Sequence, residues 1–167
     1  MNGNHRLPIA RRAGFLLSLL LLTFASCRDA IAPVTDGDLS ALVGATGFSA
    51  VSVYATFDDR VFTISAVDDG LTGPRSITIT LRGVSKAGTY DLVKSGNAGS
   101  YAESKSDVTQ SWMCATSQGA GSVIITELSS TRVAGSFSFS APALITSGAM
   151  GTKIVSSGSF DVRPWRE

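Results

Sequence analysis

Two acid pairs, Asp58-Asp59 and Asp68-Asp69, are the first residues whose types could do chemistry. Neighbouring carboxylates can hold Ca²⁺ or serve as the acid and base of a glycosidase. The spacing argues against both. The D-x-[DN]-x-[DN]-G calcium loop is absent. Residues 59 and 68 would stand about 30 Å apart along an extended strand, whereas a glycosidase pair sits within about 10 Å. The pairs read instead as polar turn residues at the two ends of one hairpin strand.

A second candidate is the glycine- and serine-rich stretch 95–101, SGNAGSY, with Trp112 downstream. Ser95, Gly96, Asn97, Tyr101 and Trp112 could form a partner-binding loop for a protein or a glycan. The alternative is a plain connection with Tyr101 packed on a sheet edge. No GxxxxGK[ST] follows, so the loop is not a phosphate cradle. Trp112 and Cys114 alternate around Met113 and should share a face, with Trp112 in the core and Cys114 a buried, inert thiol. Exposed, Trp112 would be a carbohydrate contact. The only histidine, His5, lies near the start of the chain, ahead of a long apolar run. Nothing downstream can form a Ser-His-Asp or Cys-His pair or a histidine metal site. No catalytic residue, metal or cofactor is assigned. A hydrolase using carboxylates alone is the least favoured alternative.

The start of the chain is an address. Arg6, Arg11 and Arg12 precede the apolar run FLLSLLLLTFA, and Ala25 and Ser26 lead into Cys27. A basic n-region, a short h-region and a small-residue exit make a secretory signal. The run is shorter than the roughly 20 residues of a spanning helix. The stretch 24–27, FASC, resembles the bacterial lipoprotein lipobox, with Phe24 where leucine is usual. That resemblance implies a diacylglyceryl group on the Cys27 sulfur, cleavage before it and anchoring in the cell envelope, at the outer membrane or the periplasmic face. Two or three acyl chains suffice for stable anchoring, where one is marginal. The alternative is ordinary cleavage after Ala25, which would free Cys27 to pair with Cys114.

Removing residues 1–26 leaves 141 residues of net charge −2, enough for one domain and no footprint for nucleic acid. Residues 27–38, with Pro33 and an Asp-Gly pair, read as a flexible tether. From Leu39 the pattern turns to period two. Val51, Val53, Ala55 and Phe57 alternate with polar residues, as do Phe62, Ile64 and Ala66, and then Ile77, Ile79 and Leu81. Further strands fit at 88–93, 109–115, 121–128, 132–141 and 152–162. One frame recurs: glycine, hydroxyl residue, aromatic, polar, apolar, at 88–92, 135–139 and 158–162. It puts Tyr90 and Leu92, Phe137 and Phe139, and Phe160 and Val162 on the core side, with the glycine at a bulge or close approach. The expected fold is all-β: a single antiparallel sandwich or up-and-down barrel of about eight to ten strands over residues 39–163, with a short tail at 164–167.

These stretches (GATGFSA, SITITL, GTYDL, GSFSFSA and GSFDV) resemble, in order and spacing, a family of uncharacterised lipoproteins best represented in Bacteroidetes and related phyla. The resemblance implies a lipid-anchored antiparallel β-domain and carries over no catalytic residue. The stretch 94–120 matches none of its motifs. Within it, residues 95–101 resemble the Ser-Gly-x-x-Tyr loop of periplasmic lysozyme inhibitors, which implies an alternative role as an inhibitor or partner-binding module acting through 95–112. The leading expectation is a non-enzymatic binding or structural role in the envelope.

Overall fold

The computed structural model describes residues 35–94 and 96–165. The signal, Cys27, most of the tether and Ser95 lie outside the described residues. Among the described residues, eleven strands form two antiparallel sheets that do not close on each other, so the fold is a sandwich and not a barrel. The strands are β1 (Gly37–Val43), β2 (Thr46–Ser49), β3 (Ser52–Asp58), β4 (Val61–Asp68), β5 (Arg75–Leu81), β6 (Gly88–Asp91), β7 (Ala98–Lys105), β8 (Val108–Ala115), β9 (Ala120–Leu128), β10 (Val133–Pro142) and β11 (Thr152–Val162). One sheet has the order β2-β1-β11-β10-β9-β6, the other β3-β4-β5-β7-β8.

The core follows from alternation. Phe62, Ile64 and Ala66 on β4 and Ile77, Ile79 and Leu81 on β5 have no exposed surface. Each large member contributes about 1.5–3 kcal/mol by leaving water. Cross-strand register stacks these side chains in rows, and one row runs Val53, Ala66, Ile77, Tyr101, Trp112. Val51 leaves the alternation: it precedes β3 and is exposed.

The recurring glycine frame has a packing cause in two of its three copies. On β10 and β11, Gly135 pairs with Phe160 and Phe137 pairs with Gly158. Each glycine therefore lies under the other strand's ring. A Cβ at Gly158 would meet the Phe137 ring at 2.6 Å, and one at Gly135 the Phe160 ring at 2.8 Å. The register between β10 and β11 shifts just past the second pair, between Phe137 and Phe139, next to Ser157, whose φ is +50°. The extra residue changes the parity of β11, so that Val155 and Phe160 both face the core. In the third copy Leu92 is buried while Tyr90 is half-buried, its hydroxyl donating to the Lys86 carbonyl at 2.6 Å.

Three expectations are corrected. The stretch expected as a tether to residue 38 is folded from Asp36: its carboxylate accepts from Ala55 N at 2.8 Å and from Trp165 Nε1 at 2.9 Å, and β1 starts at Gly37. Gly37 is required there, because a Cβ would strike the Asp161 carbonyl at 2.0 Å. The expected tail is bound as far as Trp165, whose backbone bridges to Ala55 and Phe57 along the edge of β3. Most of the expected binding loop is a hairpin, β7 and β8, joined at Ser106 and Asp107, both at positive φ as a two-residue hairpin turn demands.

Candidate functional site

Asp58-Asp59 behaves as a turn, with Asp59 and Arg60 at positive φ between β3 and β4. Asp68 does not. It occupies the last core-facing position of β4, in phase with Phe62, Ile64 and Ala66, and is 7% exposed. Register then sets Asp68 beside Arg75 on β5, Arg75 beside Glu103 on β7, and Glu103 beside Gln110 on β8. This polar row lies one step beyond the Ala66, Ile77, Tyr101, Trp112 row. It closes the hydrophobic layer at one end of the sandwich.

Asp68 is saturated with donors. Ser49 N and Gly70 N donate to its two oxygens at 2.8 and 2.6 Å, and Arg75 donates from Nε at 3.2 Å and Nη2 at 2.8 Å. Burial alone would raise its pKa, but the Arg75 hydrogen bonds and the two backbone donors outweigh burial and hold it below the usual carboxylate range. Arg75 Nη2 also donates to the Gly47 carbonyl at 2.8 Å, and its guanidinium lies 5.5 Å from the Phe48 ring centroid. That ties β2 of the first sheet to β5 of the second.

Lys153 makes the second tie. From β11 it reaches across to donate to Glu103 Oε1 at 3.0 Å, with its ammonium 4.6 Å from the Trp112 ring centroid and 5.5 Å from that of Tyr101. The Tyr101 hydroxyl donates to the other oxygen, Oε2, at 2.8 Å. Against the upward push of burial, these donors lower the Glu103 pKa. Burial, and then the Glu103 carboxylate, push the Tyr101 phenol up. Between the two ties lies a cleft of about 620 Å³, lined by Val43, Thr46, Asp68, Arg75, Tyr101, Glu103 and Lys153, with the wholly exposed Leu71 at its rim. The volume is within the range of small-molecule sites.

A second cleft of about 490 Å³ includes Asp36, Asp38, Arg132, Asp161 and Arg163 at the opposite end of β1. Arg132 forks onto Asp161 at 2.7 and 2.6 Å and reaches Glu127 at 2.5 Å. These side chains are nearly half exposed, so water and salt screen them. No buried aromatic lines this cleft.

The residues expected to form a binding loop are dispersed. Tyr101 and Trp112 face each other across β7 and β8, their ring centroids 5.7 Å apart, and both are buried. Asn97 is buried as a connector: its carbonyl accepts from Arg82 N at 2.7 Å and its amide donates to the Asp91 carbonyl at 2.8 Å. Gly96 is exposed and packs near Arg82. Of the described members of that set, only Tyr101 lines the cleft. Cys114 is a free thiol with no exposed surface, its pKa raised by burial and then by the charge of Asp91.

Chemically, the cleft has two inner carboxylates, Asp68 and Glu103, each bonded to its own cation, and a third, the exposed Asp69, at its rim. Asp68 and Glu103 are two strands apart, about 10 Å between backbones. Glycoside cleavage requires one carboxyl held protonated near neutral pH, and here both are driven toward the ionised form. Among the described residues, no three His, Cys, Asp or Glu side chains converge as a metal site requires.

The chain belongs to a family defined by a domain of unknown function, DUF6252, which matches residues 36–163. No curated protein and no solved structure matches it.

Proposed function

We propose that this chain is an exported, lipid-anchored domain of the cell envelope that works by binding, with the Asp68–Arg75–Glu103–Lys153 cleft as its site. The observation that carries the binding reading is charge compensation. Asp68, Arg75, Glu103 and Lys153 each have a partner at hydrogen-bond distance, the exposed Asp69 lies at the rim, and neither Asp68 nor Glu103 is poised as a general acid. Groups paired in this way suit recognition rather than proton transfer.

The anchor reading rests on the basic, apolar and small-residue succession ahead of Cys27. The geometry of β1 suits it. The chain joins the sandwich at Gly37, while Val43 and Thr46 line the cleft at the other end of that strand, about 20 Å away. A domain tethered through residues 27–35 would hold this cleft away from its own bilayer. The test is fractionation of cells expressing the full-length chain. Wild type is expected in the membrane fraction and Cys27→Ser in the soluble envelope fraction. An unchanged membrane association of Cys27→Ser would sink the anchor.

A further inference from the structure

The pairing of the cleft's inner charges also says what it would hold. An incoming carboxylate or phosphate would have to take Arg75 from Asp68, or Lys153 from Glu103. An incoming amine would have to take Asp68 or Glu103 from its cation, or settle for the exposed Asp69 at the rim, which water and salt screen. Exchange at Asp68 and Arg75 leaves a poorly solvated charge behind, because their side chains are only 10% and 12% exposed; at Glu103 and Lys153, 29% and 31% exposed, the cost is smaller. A neutral ligand rich in hydroxyls faces no such exchange. Each Glu103 oxygen accepts one hydrogen bond within the protein, and a carboxylate oxygen can accept two. The Lys153 ammonium has three donors, one of them given to Glu103. Arg75 uses Nε and Nη2 on Asp68 and Gly47, and Nη1 is its third donor nitrogen. Adjacent hydroxyls on one ring can donate to the carboxylate and accept from the cation beside it. Leu71, fully exposed on the 69–74 loop, offers the apolar face of a ring something to lie on.

Building on the reading of the cleft as a binding site, we infer that its ligand is a short, uncharged oligosaccharide, gripped by Glu103 and Lys153 and flanked at the rim by Leu71. The cleft volume of about 620 Å³ suits a few sugar rings.

Trp112 is a built-in reporter, because the Lys153 ammonium sits 4.6 Å from its ring centroid. The full-length protein carrying Trp165→Phe leaves Trp112 as its only tryptophan. Its emission would be followed while three uncharged tetrasaccharides are added in turn: β-1,4-glucose, α-1,4-glucose and β-1,4-N-acetylglucosamine. An oligogalacturonate and a glucosamine oligomer are the anionic and cationic comparisons. At least one uncharged sugar is expected to shift the emission saturably. Glu103→Gln should weaken that affinity tenfold or more. Leu71→Ser, at a site with no packing role, should weaken it several-fold with the fold intact. Response to a charged oligomer alone, sensitive to Glu103→Gln, would overturn the assignment of an uncharged ligand and leave the binding cleft standing. No response to any of the five would overturn both.

Discussion

Asp68 occupies a position that alternation reserves for an apolar side chain, and its stability rests on partners. Taking away one member of a nearly buried ion pair costs about 3–5 kcal/mol, since the other charge is stranded. Asp68→Asn keeps the shape and some hydrogen bonding, so about 3 kcal/mol is expected from denaturant midpoints at pH 7. The pH dependence has a definite sign. Asp68 and Glu103 both titrate lower folded than unfolded, where they would lie near 3.9 and 4.3. Their contribution is complete above those unfolded values and is lost as pH falls through the folded ones. Wild-type stability should therefore fall below about pH 4, and Asp68→Asn should flatten that limb. An equal acid slope in both proteins would show that other carboxylates carry it.

At the scale of strands, the glycines opposite rings make a sharp prediction. Gly158→Ala puts a methyl into the Phe137 ring, and overpacking of this kind costs about 1–3 kcal/mol. Adding Phe137→Leu should recover part of the loss, a coupling that a double-mutant cycle reads directly. Additive losses would mean that the two residues do not meet as described. The strands themselves were largely legible, because Phe62 to Ala66 and Ile77 to Leu81 alternate without interruption. β7 was not. Its core-facing positions carry Gly99, Tyr101 and Glu103, so its apolar signal is one residue long. Gly99 is small because Leu92 and Phe139 fill its side of the core, at 3.0 and 3.2 Å from a Cβ placed there. Asp68 was misread as a turn residue for the same reason, a polar group in an inward phase. The cleft left no local motif, since Asp68, Arg75, Glu103 and Lys153 meet only through the register of four strands in two sheets.

At the scale of the molecule, the sandwich is an open pair of sheets with managed edges. β2 and β6, the edges of the six-stranded sheet, are four residues each. β3 is covered by Asp36 and Trp165, and β8 by the 143–147 segment, where Leu144 N donates to Ser111 O and Ser111 N donates to Ser147 Oγ. Covered or short edges discourage strand addition by other chains, which suits a domain held at high local concentration on a surface. The two clefts occupy opposite ends of β1, and the charge-compensated one is distal to Gly37. Anchoring and binding would then be divided between the ends of one small domain.

That division depends on the state of Cys27, and the intact mass of the protein extracted from native membranes reads it most directly, taken with a thiol count before and after denaturation. The account predicts a chain that begins at Cys27, is heavier by two or three acyl chains, and has one thiol, Cys114, that reacts only once the fold is opened, as its burial requires. An unmodified chain beginning near Ser26 with no free thiol would contradict it: Cys27 would be bridged to Cys114, and the domain would be secreted without an anchor.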